Sequence, residues 1–172
     1  EEFMFETVED VQKGLEKQGY ICDRRIATVV YLALKLEKPV LVEGPAGVGK
    51  TRIAVGYAAT QPSQFPDGVH WFPVGTLNDP TTVLSALAGA LGVRGSPKTT
   101  VKEIIDHLRP LSSLLVIDNA EHHLTTCAEL CRAILTSAPR LTILITSRHL
   151  TGVPGELALP VVPLQLPSQG TP

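Results

Sequence analysis

The chain has 172 residues, 44% of them hydrophobic, which suits one domain with a sizeable core. Its formal charge of −2, its pI near 6.2 and its scattered basic residues give no ground for direct nucleic-acid contact or for binding an anionic membrane. No apolar run approaches 18 residues, and the acidic Glu1-Glu2 start lacks the basic head and apolar core of a secretion signal, so a cytoplasmic location without membrane contact is expected.

Val8, Val11 and Leu15 recur at helical spacing and Gly19 follows as a stop, so Thr7 to Gln18 reads as a short amphipathic helix. Asp23 then caps a second helix, Arg24 to Glu37, apolar on most sides and therefore expected to pack on a sheet. The apolar run Pro39-Val40-Leu41-Val42 is the first strand. It leads into Gly44-Pro45-Ala46-Gly47-Val48-Gly49-Lys50-Thr51, a full G-x-x-x-x-G-K-[ST] phosphate loop, and Arg52 to Thr60 supplies the helix that such a loop requires. After a turn-rich stretch from Pro62 to Gly68, His70-Trp71-Phe72-Pro73-Val74 reads as a second strand. Asp79-Pro80 starts a third helix by a cap followed by proline, with Val83, Leu84, Leu87 and Leu91 on one face and Gly92 ending it. Thr100-x-x-Glu103 is a capping box, opening a helix that turns Ile104, Ile105 and Leu108 inward and stops at Pro110.

Leu114 to Ile117 is a short apolar strand ending in Asp118, Leu124 to Ser137 is helical, and Leu141 to Thr146 is a further apolar strand. Leu157 to Val162 adds an edge strand, and Leu164 to Pro172 is proline-rich and reads as a linker or truncated boundary, leaving residues 1–163 as the domain. Strands that are apolar throughout and alternate with helices argue an α/β fold with a parallel sheet covered on both faces, its ligands at the carboxyl ends of the strands. Cys22, Cys127 and Cys131 fit neither a disulfide framework nor a four-ligand zinc site. Cys127 and Cys131, four apart on one helix, read as buried thiols.

In the phosphate loop, glycines let successive amides turn toward one point, Lys50 brings charge to the β and γ phosphates, and Thr51 offers a hydroxyl to Mg²⁺. Asp118, the acid that ends an apolar strand, has the form of the second Mg²⁺ group; the simpler alternative is a helix cap. Where hydrolytic relatives carry an acid next, this chain has Asn119. An amide cannot take a proton, so turnover is expected to be slow unless Glu121 substitutes, the alternative for Glu121 being a solvated first-turn residue. Arg148, at the end of the strand that finishes Thr146-Ser147, is placed to sense a γ-phosphate, or else to form a surface salt bridge. His122, His123 and His149 read as solvated and receive no role.

Beyond the loop, Phe65-Pro-Asp-Gly-Val-His-Trp-Phe72 with Leu77-Asn-Asp-Pro80, Leu114-Leu-Val-Ile-Asp-Asn-Ala-Glu-His122, and Ile143-Leu-Ile-Thr-Ser-Arg148 with Gly152-Val-Pro-Gly-Glu156 form a specific set. On these residues the chain from about Arg52 to Pro167 resembles the nucleotide-binding domain of STAND-type signalling ATPases, the NB-ARC-like modules of large bacterial transcriptional regulators. The resemblance implies a three-layer α/β/α P-loop NTPase fold with a five-stranded parallel sheet in the order 5-1-4-3-2. It also implies that Lys50, Thr51, Asp118 and Arg148 bind ATP or ADP with Mg²⁺, and that the pair Asp118-Asn119 is normal for a slow switch. The stretch before the loop, including Phe5-Glu-Thr-Val-Glu-Asp-Val-Gln12, Gly19-Tyr-Ile-Cys-Asp-Arg-Arg-Ile26 and Leu32 to Gly44, is similar instead to the start of MoxR-type AAA+ ATPases. That likeness makes Tyr20 and Ile21 candidate adenine contacts, beside Arg52 and the loop itself. The two resemblances meet at the loop, as a natural recombination or a constructed fusion would produce.

The expected function is therefore an ATP- or ADP-binding domain acting as a slow switch and, if active, a hydrolase of low turnover. The rivals are an active MoxR-like ATPase using Glu121 and a structural scaffold with little or no turnover. A small-molecule kinase is weaker for want of an Arg-rich lid. ATP over GTP rests on the resemblance, together with the lack of an Asn/Thr-Lys-x-Asp guanine-reading segment.

Overall fold

The computed structural model describes residues 7–17, 19, 24, 26–28, 30–31, 40–60, 63–93 and 98–161. Five short strands, β1 (Val40–Glu43), β2 (Val69–Phe72), β3 (Leu114–Ile117), β4 (Thr142–Ser147) and β5 (Leu157–Pro160), form one sheet. Its order is β2-β3-β4-β1-β5 and every pairing is parallel. Read from the other edge this is the 5-1-4-3-2 order that the family resemblance implies.

Parallel strands need crossover connections, and helices supply them from β1 to β4 along the chain, while a helix-free loop leads from β4 to β5. α1 (Val8–Lys17) precedes the sheet and α2 (Lys50–Thr60) follows β1. α3 (Val83–Ala90) and α4 (Val101–Leu108) lie between β2 and β3, and α5 (Leu124–Ser137) joins β3 to β4. The described residues between 24 and 31 are helical as well.

Strand residues alternate between two cores, as the two-residue period of a strand requires. Val40, Val42, Leu114, Val116 and Leu144 pack with Val11 and Leu15 of α1, Ala27 and Val30, and Ile53, Ala54 and Tyr57 of α2. Leu41, Leu115, Ile117, Ile143 and Ile145 face the opposite way, against α3, α4 and α5. The three central strands β1, β3 and β4 are thus buried on both faces, and this is why they read as unbroken apolar runs, while the edge strands β2 and β5 are only partly covered.

Several local signals act as expected. Thr100 Oγ1 accepts from Glu103 N at 3.3 Å while Glu103 Oε2 accepts from Thr100 N at 2.7 Å, completing the capping box of α4. Asp79 Oδ1 accepts from Thr81 N at 2.9 Å, although the turn it caps, Pro80–Thr82, is a 3₁₀ turn leading into α3. β2 begins one residue earlier than predicted and stops at Phe72, because Pro73 cannot donate to a ladder and Val74–Thr76 coils into another 3₁₀ turn. Cys127 and Cys131 are fully buried in α5, and burial pushes their thiols up to about 11 and about 12. Among the described residues no helix is long and apolar enough to cross a membrane. Asp23, Cys22, the candidate adenine contacts Tyr20 and Ile21, and the segment from 164 onward lie outside the described residues.

Candidate functional site

Four elements deliver the site to one edge of the sheet: the loop after β1, the first turn of α2, and the carboxyl ends of β3 and β4. Gly44 N donates to Ser147 O of β4 at 3.2 Å, so the loop starts while still bound to the neighbouring strand. A Cβ on Gly44 would lie 2.3 Å from Val161 O, a contact that only glycine avoids. Val161 is itself held there, its N–H donating to Glu43 O at 2.6 Å. Gly47 and Gly49 take left-handed φ values of 81° and 89°, and α2 begins at Lys50.

Lys50 is 7% exposed, and its ammonium donates to Gly44 O at 2.7 Å and Pro45 O at 2.8 Å. Two of its three donors therefore hold the start of the loop, and the positive charge lies at the opening of α2. The helical ladder begins with Ile53 N on Gly49 O at 3.1 Å. Amides ahead of that point have no acceptor within the helix, and a helix start is intrinsically favourable for an anion.

Asp118 is fixed as soon as β3 ends. Its N–H donates to Phe72 O of β2 at 2.9 Å, and its Oδ1 accepts two hydroxyls, from Thr51 of α2 at 3.0 Å and from Thr146 of β4 at 2.5 Å. The carboxylate is 6% exposed. Thr146 is fully buried and accepts in turn from Asn119 N at 3.0 Å, so one hydroxyl anchors both residues of the Asp-Asn pair. Along the sequence Thr146 stands at the end of the strand that leads to Arg148, with no task marked for its hydroxyl. The signal that would have found it is a threonine in a strand otherwise buried on both faces.

Asn119 adopts φ 60° and ψ 48°, making it the one non-glycine residue with positive φ among those described. Asparagine is one of the few side-chain-bearing residues that accept this conformation readily, which gives the amide a conformational reason to stand here. The loop after β2 packs closely against it: Gly75 N donates to Asp118 O at 3.4 Å, and a Cβ on Gly75 would lie 2.6 Å from Asn119 Cβ.

The two remaining candidates meet each other. Arg148 Nε donates to Glu121 Oε1 at 2.9 Å, in a pair whose side chains are 46% and 8% exposed. Glu121 is thus a buried carboxylate paired to arginine and not a solvated first-turn residue, and Arg148 forms a salt bridge that is half buried. His123 also departs from the solvated reading. It is 8% exposed, and its Nε2 lies 2.9 Å from Leu77 O, tying the loop after β2 to the start of α5. Arg52 Nη2 donates to Gly19 O at 3.2 Å, tying α2 to Gly19.

The donor set fits a nucleotide with Mg²⁺. Thr51 Oγ1 and Asp118 Oδ1 are hard oxygen groups 3.0 Å apart at the start of α2, which is the chemistry a small divalent cation bridging phosphates takes. A family profile for the AAA domain matches residues 34–153, spanning the loop, Asp118 and Arg148. The chain belongs to the AAA domain family.

This AAA domain is a P-loop NTPase module, a class that binds nucleotide and generally does so with Mg²⁺. It is 35% identical over 128 residues to an uncharacterized protein of Mycobacterium tuberculosis, a match that covers 74% of the chain and 33% of that protein. Over 115 residues it is 35% identical to a second M. tuberculosis protein, provisionally named an HTH-type transcriptional regulator, covering 66% of the chain and 13% of the regulator. The AAA domain thus spans a third or less of the relatives it matches. Among solved structures it is similar to a STAND protein with a tetratricopeptide repeat sensor from Pyrococcus horikoshii, with a TM-score of 0.55 and 16% identity, covering 83% of this chain and 23% of that one. It is also similar to Cdc6p from Pyrobaculum aerophilum, with a TM-score of 0.53 and 16% identity, covering 91% and 46% of the two chains. At these identities the likeness concerns the fold.

Proposed function

We propose that this domain binds ATP or ADP with Mg²⁺ and acts as a slow nucleotide switch within a larger signalling protein. The reading rests chiefly on one juxtaposition. The Thr51 hydroxyl and the Asp118 carboxylate are 3.0 Å apart beside a phosphate loop whose lysine is already drawn in. In this reading the loop amides and Lys50 hold the phosphates. Thr51 and Asp118 hold Mg²⁺, directly or through water, and Arg148 meets the γ-phosphate. The bound metal supplies charge neutralisation between phosphates.

Slow turnover follows from the residue after Asp118. Asn119 cannot accept a proton, and loss of general-base catalysis typically costs about 10² to 10⁴ in rate. The STAND-like role is supported by the stretches around Phe65, Asp118 and Arg148 and by a relative provisionally named a transcriptional regulator. Residues 1–163 form the proposed unit, with 164–172 a linker or truncated boundary, whatever the origin of the segment before the loop.

Calorimetric titration with ATP, ADP and GTP, with and without Mg²⁺, tests the proposal. Lys50→Ala should weaken adenine-nucleotide binding by about 10- to 100-fold, the scale of a lost charge-assisted contact to phosphate. Unchanged affinity in that variant would overturn the assignment. An active hydrolase using Glu121 is the second reading, favoured by one observation: Glu121 Oε2 has no hydrogen-bond partner among the described residues and is the oxygen that Arg148 Nε does not take. Steady-state phosphate release well above about one per minute, lost on changing Glu121, would select it, since typical enzymes turn over at about 1 to 10³ per second.

A further inference from the structure

We infer that Glu121 is a positioning residue for Arg148: it grips the guanidinium at Nε and leaves the two Nη groups to meet a terminal phosphate. The inference rests on the nucleotide-binding reading above and gives Glu121 a task other than proton transfer. Glu121 Oε1 is committed to Arg148 Nε at 2.9 Å, while Oε2 is shielded from solvent and has no partner. A general base must come within hydrogen-bond reach of the attacking water. Here one oxygen of Glu121 is taken by Arg148 and the other is shielded from solvent.

Arg148 has the complementary geometry. Its backbone follows directly on β4, and its side chain is 46% exposed, with Glu121 as its partner among the described residues. Arginine carries five donors in a rigid fork, so a grip at Nε fixes the plane of the guanidinium and aims both Nη groups in one direction. Two residues earlier, Thr146 bonds to the proposed Mg²⁺ group Asp118, so the strand that carries the arginine is also anchored to the metal side of the site. A long side chain held in advance loses less freedom when it meets a ligand. Glu121 would thereby set how strongly the domain prefers a triphosphate to a diphosphate, without touching either.

The test is calorimetry with ADP and with a non-hydrolysable ATP analogue, both with Mg²⁺, on wild type, Glu121→Ala, Glu121→Gln, Arg148→Ala and the double alanine variant. Glu121→Ala should leave ADP affinity unchanged and reduce the preference for the analogue by about 3- to 10-fold, the scale of freeing one long side chain. Glu121→Gln should retain most of the preference, because its amide oxygen still accepts from Nε. Arg148→Ala should lower the preference at least as far, and adding Glu121→Ala to it should cause no further loss, the signature of two residues acting through one contact. The double variant has no unpaired buried charge and so keeps the comparison open if Arg148→Ala folds poorly. A wild-type protein that bound neither ligand would defeat the nucleotide reading. Binding of both with full preference kept in Glu121→Ala would defeat this inference alone, as would turnover abolished in Glu121→Gln with the preference intact.

Discussion

Thr146 shows how much one hydroxyl decides at this site. It donates to Asp118 Oδ1 and accepts from Asn119 N, so it settles both the direction of the carboxylate and the left-handed turn that follows. Thr146→Val keeps the shape and removes the bonds, leaving the Asn119 amide without its acceptor. A buried donor stripped of its partner costs about 1–3 kcal/mol, so urea unfolding should register a loss on that scale. The Mg²⁺ dependence of nucleotide affinity should shrink as well, while Thr146→Ser should restore both. An unaltered Mg²⁺ dependence in Thr146→Val would show that Asp118 needs no such anchor. Neither contact of Thr146 is visible along the chain, since the partners stand 28 and 27 positions away.

At the scale of elements, local chemistry and the structure agree most closely where a signal is complete within a few residues. The capping box of α4 is such a case, with both reciprocal bonds formed. Thr100→Ala should lower Tm by about 2–4 °C, the usual worth of a helix cap in a domain of this size. The box also has a pH signature. The Thr100 backbone N–H and hydroxyl hold the Glu103 carboxyl below its ordinary value of 4.5. The folded state therefore keeps Glu103 charged where the unfolded chain has begun to protonate it. Its contribution is present above pH 4.5 and is lost as pH falls through the lower folded value. Glu103→Gln, which removes the titrating carboxylate, should accordingly unfold closer to wild type at pH 3 than at pH 7 in parallel thermal melts. Boundaries were less legible: the predicted second strand ran two residues past Phe72, because its alternation does not show that Val74 turns into a 3₁₀ coil and packs against the core formed with α3 and α5.

For the whole molecule, the site lies where both cores meet the same sheet edge. α2 and its loop belong to one core, and the loops after β2 and β3 lead into helices of the other. A ligand held between them should stabilise the domain as one unit. At about 100 times its dissociation constant, ADP with Mg²⁺ should add roughly 2.7 kcal/mol, raising Tm by about 5–10 °C for a chain of this length. Fluorescence-monitored melting against ligand concentration measures this directly, and a flat response at millimolar ADP would contradict nucleotide binding.

The amino-acid order alone determined what is written in contiguous residues: the phosphate loop between a strand and a helix, the caps, the apolar strands that demand a sheet covered on both faces, and Asp118 at a strand end. These signals are local because hydrogen bonds within a turn and periodic burial depend on near neighbours. Only the tertiary structure decided which distant groups touch. Thr51 and Asp118 are 67 positions apart, and Arg148 and Glu121 are 27 apart. They meet because the strand order sets β4 between β1 and β3 and gathers three carboxyl ends at one edge. The exchange of a solvated glutamate for a buried partner of arginine is a consequence of that order, and no local pattern encodes it.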